Sequence, residues 1–280
     1  MATESISILE ATVLGIVQGL TEFLPISSSA HLRVVPTFIG WGDPGAAYSA
    51  VLQLGSVAAL LAYFARQITS ITLGFVSAIK EKDYQSSDFK LFTGIIIGTA
   101  PICIIGLAIK SLLEQKDSPL RSLELIATVS IVMGLLLVVA EVVGNQKKNL
   151  KQMGIKDGFI VGLGQALALI PGCSRSGSTL TVAMLLGLNR ADAARFSFLL
   201  GIPAVVLSGL LELKELFEIG IADIGIPGLI CGLIASTVVS YLAIAWMIKF
   251  LEKHSTWWFV VYRVLFGAFI LYALKTGLIS

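Results

Sequence analysis

A nine-residue polar stretch between two apolar segments is the part of this sequence best suited to chemistry. It holds four hydroxyl side chains, two glycines and an arginine, and reads Pro171-Gly172-Cys173-Ser174-Arg175-Ser176-Gly177-Ser178-Thr179. The glycines let the backbone turn so that N–H groups converge on an anion, and Arg175 supplies a planar fork that matches phosphate oxygens. A helix that resumes near Ser178 would point its positive end at the same anion. The stretch predicts a phosphate site whose ligands include Gly172, Ser174, Arg175, Ser176 and Thr179.

A second polar group lies in the first apolar segment, which reads Gln18-Gly19-Leu20-Thr21-Glu22. Gln18 and Glu22 are four residues apart, so on a helix they share one face. A buried carboxylate beside an amide could hold a divalent cation through oxygen ligands. We therefore expect Glu22 and Gln18 to be metal ligands; the alternative is that Glu22 is a structural partner of Arg175.

Directly after Pro25 the chain reads Ser27-Ser28-Ser29-Ala30-His31, which brings hydroxyls close to an imidazole. On a helical turn Ser28 and Ser27 approach His31, whereas Ser29 faces away. We expect Ser28 to be the nucleophile and His31 its general base, with Ser27 as a phosphate ligand or helix cap. Direct attack by His31, or by water, is the alternative. Together with a cation and Arg175, these groups suit in-line phosphoryl transfer.

The composition places these polar groups in a membrane protein. The 280 residues are 56% hydrophobic and 14% charged, with a mean hydropathy of +0.88, whereas soluble domains carry about 25% charged residues. A net charge of +2 gives no reason to expect nucleic acid as a partner. The three cysteines, at positions 103, 173 and 231, are far apart and predict neither a metal site nor a disulfide.

The apolar runs predict about eight segments. They cover roughly 6–31, 47–65, 91–113, 121–143, 157–188, 196–213, 226–248 and 257–276. The first is broken by Pro25 and the fifth by Pro171, and irregular backbone at membrane depth is tolerated only inside protein or around water. We expect these two segments to form re-entrant helix pairs whose tips meet in the middle of the membrane.

The two halves of the chain resemble each other. Gly15-Ile16-Val17-Gln18 before Pro25 corresponds to Gly162-Leu163-Gly164-Gln165 before Pro171. Each half then adds three plain spans, and because three is odd the second half must be inverted relative to the first. The sequence predicts an all-α polytopic protein, one membrane domain over 1–280, with inverted repeats at 6–143 and 157–276 and about six full spans.

The distribution of Lys and Arg predicts the orientation. If the loop 66–90 is cytoplasmic, so are 144–157, 189–195 and 249–256. The cytoplasmic side then holds twelve of the 20 basic residues, and the opposite side holds six. The remaining two, Arg175 and Arg263, lie within the membrane. The first re-entrant pair would enter from outside and the second from the cytoplasm. We expect Arg263 to bind a carboxylate or backbone carbonyls, and Gln53 and Ser56 to line the cavity.

Both polar stretches resemble the signature motifs of the undecaprenyl-diphosphate phosphatase family of the bacitracin-resistance type, and the similarity covers essentially the whole chain. The motifs are a (Glu/Gln)-x-x-x-Glu pattern, a serine–histidine element and a Pro-Gly-x-Ser-Arg-Ser-x-x-Thr pattern. They match at Gln18 and Glu22; at Ser27, Ser28 and His31; and at Pro171, Gly172, Ser174, Arg175, Ser176 and Thr179. Because position 18 is Gln here, Glu22 is the sole nearby carboxylate, which weakens a two-carboxylate metal site.

This resemblance implies a membrane hydrolase that converts undecaprenyl diphosphate to the monophosphate and inorganic phosphate. It would recycle the lipid carrier of peptidoglycan synthesis and confer bacitracin resistance, and it would depend on Mg²⁺ or Ca²⁺. The implied location is the bacterial cytoplasmic membrane, with the site opening to the periplasmic face. The expected partners are the polyprenyl diphosphate and membrane lipids, not nucleic acid, and a homodimer is left open.

Two other functions fit parts of the sequence. A transporter could share the inverted repeats and the predicted phosphate site at 171–179, but it would not need the pair of Ser28 and His31. Phosphate release by detergent-solubilised protein separates these two functions, because detergent offers no second compartment. An intramembrane serine protease is disfavoured, since its Gly-x-Ser-Gly signature is absent and Arg175 beside Ser174 suits phosphate better than a peptide carbonyl.

Overall fold

The computed structural model describes residues 6–41, 45–109, 112, 120, 122–219 and 225–279, and within these ranges it contains helices and no β-strand. The helices are α1 (Ile8–Phe23), α2 (Ser28–Phe38), α3 (Gly45–Glu81), α4 (Ser87–Ala108), α5 (Leu123–Val143), α6 (Ile155–Ala166), α7 (Arg175–Leu185), α8 (Arg190–Ile219), α9 (Ile226–Lys253) and α10 (Trp257–Lys275). Short 3₁₀ turns occur at Leu150–Gln152 and Leu167–Leu169. The expected all-α fold is confirmed.

Six helices are long and apolar enough to cross a membrane, as expected. The qualifying stretches are Val51–Glu81, Ser87–Ala108, Leu123–Val143, Arg190–Leu211, Ile226–Lys253 and Trp257–Lys275. Part of the expected loop 66–90 is instead helix, because no proline interrupts α3 before Glu81 and Phe75 stacks on Phe92 of α4. Lys110, Lys116 and Arg121, three of the basic residues assigned to the outer side, lie outside the described residues.

The four short helices fall into two pairs, α1 with α2 and α6 with α7. At about 1.5 Å per residue, the 16 residues of α1 extend about 24 Å and the 11 residues of α2 about 17 Å, less than the roughly 30 Å of a bilayer core. Each pair is joined by a break that contains proline, at Pro25 or at Pro171. Neither helix of a pair is long enough to span a membrane upright.

Glycines set how deep the first helix of each pair reaches. Gly15 of α1 lies against Gly232 of α9, and Gly19 lies against Ser240, so α1 ends level with the middle of α9. Gly162 of α6 lies against Gly98, in the middle of α4, with no room for a methyl group. Such contacts between small residues let helix backbones approach closely. A re-entrant pair must have its tip level with the middle of the long helices, as both pairs do here. The position of these tips in the bilayer stays a prediction.

The order of elements is the same in both halves, two short helices followed by three long ones. The most extensive helix pairings are α1 with α9 and α4 with α6. If α1 corresponds to α6 and α4 to α9, the pairing of α1 with α9 is the counterpart of the pairing of α6 with α4. An approximate two-fold relation between the halves requires this. The pairing of α5 with α10 fits the same relation, because each is then the counterpart of the other. The repeat boundaries 6–143 and 157–276 stay predictions.

One buried arginine of α10 holds the tips of both short pairs. The side chain of Arg263 is 1% exposed, and its guanidinium donates to the carbonyls of Pro25 at 2.8 Å, Gly172 at 2.8 Å and Cys173 at 3.2 Å. Its Nε donates to the carbonyl of Ser130 on α5 at 3.0 Å. Of the two kinds of partner expected for Arg263, a carboxylate or backbone carbonyls, the structure shows the carbonyls, and the two tips meet at this side chain.

Replacing Arg263 with Met tests this anchor. We expect the variant to lose at least about 3 kcal/mol of unfolding free energy, because several buried carbonyls lose their donors at about 1–3 kcal/mol each. Thermal unfolding of the detergent-solubilised protein measures the loss. Lys275→Met, at the exposed end of α10, is the matched control and should change little. Equal unfolding temperatures for the two variants would contradict the anchoring role.

Candidate active site

The second helix of each short pair begins at a serine with left-handed backbone. Ser27 before α2 has φ 76°, and Ser174 before α7 has φ 68°. This conformation costs a residue other than glycine about 1–3 kcal/mol, and residues strained in this way cluster at functional sites. The Ser174 hydroxyl accepts a hydrogen bond from the Gly177 amide at 3.1 Å, whereas the Ser27 hydroxyl lies 3.1 Å from that of Ser29. Equivalent strain at the two helix starts marks one site built from both halves.

A cavity of about 220 Å³ lies where these helix starts meet. Its polar wall consists of Glu22, Ser27, Ser28, Ser29, Ser174 and Arg175, and the remaining lining residues are Gln53, Ile102, Ala168, Ala204, Val205 and Ser208. The N-termini of α2 and α7 both border it, and each carries partial positive charge and unpaired N–H groups. A cavity with two helix N-termini and an arginine favours an anion.

Glu22 and Arg175 form an ion pair across the cavity. Arg175 Nη2 lies 3.0 Å from Glu22 Oε1, and the two side chains are 12% and 10% exposed. The guanidinium lies across Gly201 of α8, where a methyl group would collide with it. The pairing expected as the structural alternative for Glu22 is therefore present. The cation and the carboxylate of the site neutralise each other in this state.

The second oxygen of Glu22 binds two further side chains. Oε2 accepts hydrogen bonds from Ser28 Oγ at 2.6 Å and from Gln18 Nε2 at 3.1 Å. Gln18 also donates to Ser56 of α3 at 3.4 Å, so Ser56 lies behind the carboxylate and does not line the cavity. The shared helix face of Gln18 and Glu22 is confirmed. Glu22 is the group that connects the nucleophile candidate, the amide and the arginine.

The expected contact between Ser28 and His31 does not occur. His31 Nδ1 lies 2.7 Å from the Ser27 carbonyl and Nε2 lies 2.6 Å from the Tyr262 hydroxyl, while its ring stacks on Phe266. Helix α2 begins at Ser28, and side chains at a helix start point back toward the N-terminus. The Ser28 hydroxyl therefore reaches Glu22, and His31 packs against α10.

Three of the expected phosphate ligands have other partners. Ser176 donates to the Leu24 carbonyl at 2.9 Å, and Thr179 donates to the Arg175 carbonyl at 2.7 Å. Gly172, with φ 89°, packs on Ile126, and its carbonyl accepts from Arg263. These residues lie behind the cavity wall, where they help to hold the tips of the two short helix pairs together. Because α7 starts at Arg175, Ser176 faces Leu24 of the first tip and Thr179 faces Ser197 of α8.

Ser29 and Tyr262 belong to the site although the sequence does not single them out. Ser29 was expected to face away, but it lines the cavity because the first turn of α2 is itself part of the wall. Tyr262 binds His31 and gave no signal beyond its position next to Arg263. Gln53 lines the cavity as expected.

A divalent cation at this site would have few protein ligands. The described residues contain no group of three His, Cys, Asp or Glu side chains that could hold a metal. Glu22 offers a carboxylate, and Gln18, whose Nε2 donates to that carboxylate, offers its amide oxygen. Hard cations are often bound by one or two carboxylates together with substrate phosphates. This donor set fits Mg²⁺ or Ca²⁺ only when phosphate oxygens complete the coordination.

Known proteins resemble this chain over nearly its whole length. The profile of the family "Bacitracin resistance protein BacA" matches residues 11–269. The chain belongs to this family. A protein named undecaprenyl-diphosphatase from Gloeobacter violaceus is 56% identical over 276 residues, which are 99% of this chain and 95% of that protein. Proteins of the same name from Synechococcus elongatus and Trichormus variabilis are 53% and 54% identical, over 99% of this chain and 96% and 87% of their own lengths.

Substitution of Arg175 tests the anion site. Arg175→Ala should lower phosphate release from a polyprenyl diphosphate by about 10²-fold or more, because the main positive charge of the cavity is lost. Arg175→Lys should restore activity only in part, since an ammonium group cannot make the bidentate contact. Arg195→Ala removes an arginine of α8 that pairs with Asp192 and Glu252 and serves as control. Near-normal release by Arg175→Ala would contradict the assignment.

Proposed function

We propose that this chain is a membrane phosphatase that hydrolyses undecaprenyl diphosphate to undecaprenyl phosphate and inorganic phosphate. This reaction recycles the lipid carrier of peptidoglycan synthesis and gives resistance to bacitracin. The observation that carries the proposal is a single cavity bordered by two helix N-termini, Arg175 and a serine bonded to a carboxylate. The family and the name of its relatives agree with it.

The diphosphate binds at the polar wall. Phosphate oxygens compete with Glu22 for Arg175, because both are anions that suit the same guanidinium. The N-terminal amides of α2 and α7 and the hydroxyls of Ser27 and Ser174 bind the remaining oxygens. Binding therefore replaces the ion pair between Arg175 and Glu22 with an ion pair between Arg175 and the substrate. Glu22 Oε1 is then no longer bonded to the guanidinium.

In the chemical step Ser28 Oγ attacks the terminal phosphorus, and the bond from that phosphorus to the bridging oxygen breaks. The lipid monophosphate leaves, and the proton of Ser28 passes to Glu22 Oε2, to which the hydroxyl already donates at 2.6 Å. Water then attacks the phosphorus of the phosphoserine, and the bond from that phosphorus to Ser28 Oγ breaks. Oγ takes the proton back from Glu22, and the water oxygen leaves as part of inorganic phosphate. Glu22 replaces His31 as the base. His31 instead fixes the carbonyl of Ser27 and thereby the start of α2.

The proposed cofactor is Mg²⁺ or Ca²⁺, with Glu22 and Gln18 as its protein ligands and phosphate oxygens as the others. When bound, the cation neutralises charge on the diphosphate. Chelation should remove activity, and added Mg²⁺ or Ca²⁺ should restore it. Activity that persists in a chelator would contradict the cofactor while leaving the roles of Ser28 and Arg175 intact.

The protein acts in the bacterial cytoplasmic membrane, and we propose that its cavity opens to the periplasmic face. In the orientation favoured by Lys and Arg, α3 starts and α8 ends at that face. The cavity-lining residue Gln53 lies in the half of α3 that begins at that face, and Ser208 lies in the half of α8 that ends there. A lipid diphosphate could thus enter from the outer leaflet, with its chain beside the apolar wall of Ile102 and Val205. A homodimer is compatible with this arrangement.

Phosphate release by purified protein in detergent tests the function. We expect the wild type to release one phosphate from each polyprenyl diphosphate, and Ser28→Ala to lower the rate by about 10³-fold or more, as for loss of a nucleophile. Ser77→Ala, which removes an exposed hydroxyl of α3 that donates to Glu81, is the control. Binding of the lipid without phosphate release by the wild type would support the transporter alternative.

The identity of the base and of the nucleophile can be tested in the same protein. Glu22→Gln should abolish turnover, whereas His31→Gln should keep part of it, because His31 acts through the position of Ser27. A phosphoserine trapped during turnover resists acid and is cleaved by alkali, while a phosphohistidine behaves in the opposite way. An acid-labile adduct would show that His31 attacks, and the absence of an adduct would point to direct attack by water.

A further inference from the structure

A buried amide of α6 has no partner in the described part of the protein. Gln165 is 0% exposed, and neither its Nε2 nor its Oε1 forms a hydrogen bond there. Buried polar atoms without partners are costly, and in a membrane the surroundings offer no replacement. Its counterpart in the first half, Gln18, binds both Glu22 and Ser56. The fold therefore retains a donor and an acceptor at Gln165 that its own side chains do not use.

The neighbours of α6 show where this amide points. Gly158 and Gly162 face α4, and Gly164 faces Val182 of α7. Side chains follow each other by about 100° around a helix, so Gln165 projects between these two directions. Helix α8 contacts both α4 and α7 and occupies this side. The amide is thus enclosed by α4, α7 and α8.

The same three helices form one wall of the cavity. Ala168, one turn after Gln165, lines it, as do Ile102 of α4 and Ala204 of α8. The Arg175 guanidinium lies across Gly201 of α8, at the level of this wall. In the free protein Arg175 is held toward Glu22. Gln165 is not itself a lining residue but lies one turn before Ala168, behind this apolar wall. A phosphate that moves the guanidinium away from Glu22 and toward α8 would bring it to the side of the cavity where Gln165 lies.

From this placement we infer that Gln165 is a further substrate-binding residue, whose carboxamide binds the phosphate group of the substrate from the side opposite Glu22. The inference rests on the proposed function. Nε2 donates to a phosphate oxygen, and Oε1 accepts from a protonated phosphate oxygen or from the Arg175 guanidinium. An amide is suited to this position because, unlike a carboxylate, it adds no negative charge beside the diphosphate.

The variant Gln165→Leu tests whether the amide of Gln165 binds the substrate or stabilises the fold. The apolar side chain removes two unpaired polar atoms, so the unfolding temperature without ligand should be unchanged or higher. The KM for polyprenyl diphosphate should rise about 10-fold, the effect of losing one hydrogen bond to a charged group. Inorganic pyrophosphate should raise the unfolding temperature of the wild type and raise that of the variant much less.

Thr99→Val is the matched control, since this buried hydroxyl of α4 already donates to the Ile95 carbonyl within its own helix. It should change neither the KM nor the response to pyrophosphate. A Gln165→Leu variant with wild-type KM and response would overturn the inference, as would a lowered unfolding temperature without ligand. If the wild type released no phosphate, the proposed function would fail, yet a pyrophosphate response lost only in Gln165→Leu would still support the phosphate site.

Discussion

The need to satisfy backbone groups where helices break inside an apolar bundle governs this structure. Each short pair ends in a turn with free carbonyls, and such groups cannot be left bare in a membrane. Arg263 meets this need for both turns at once, because its rigid fork reaches Pro25 on one side and Gly172 and Cys173 on the other. The same bonds fix the distance between the tips, so the cavity exists as a consequence of this backbone pairing.

The tips bring opposite charges from the two halves into contact. Glu22 lies in the last turn of the first helix of one pair, and Arg175 begins the second helix of the other. Buried ion pairs contribute little net stability, because desolvation offsets much of the attraction. The pair between Glu22 and Arg175 is better explained by what replaces it, since an incoming phosphate can take the cation and leave the carboxylate beside Ser28.

The sequence predicted those features that depend on composition and spacing. The six long helices, the two breaks and the shared face of Gln18 and Glu22 follow from hydropathy, proline and helical periodicity. A structural role for Arg263 follows from its place in an apolar span, but the choice of carbonyls over a carboxylate does not. The sequence did not predict that Ser28 donates to Glu22, because this contact depends on which residue begins α2. Ser176 and Thr179 have the residue types of a phosphate cradle, but their orientation is set by neighbours distant in sequence, Leu24 and Ser197.

The two halves share a helix order, yet they supply different chemistry. The first contributes the carboxylate, the serine bonded to it and the supporting amide of Gln18, while the second contributes Arg175. The segment Leu54-Gly55-Ser56 of α3 corresponds to Leu200-Gly201-Ile202 of α8. Ile202 therefore takes the place of Ser56, and Gln165 lacks the hydroxyl that Gln18 binds. A symmetric site would put like charges opposite each other, and diphosphate would meet two carboxylates or two cations. Divergence of the halves gives the cavity one carboxylate and one cation, a combination that suits in-line attack on a phosphoryl group.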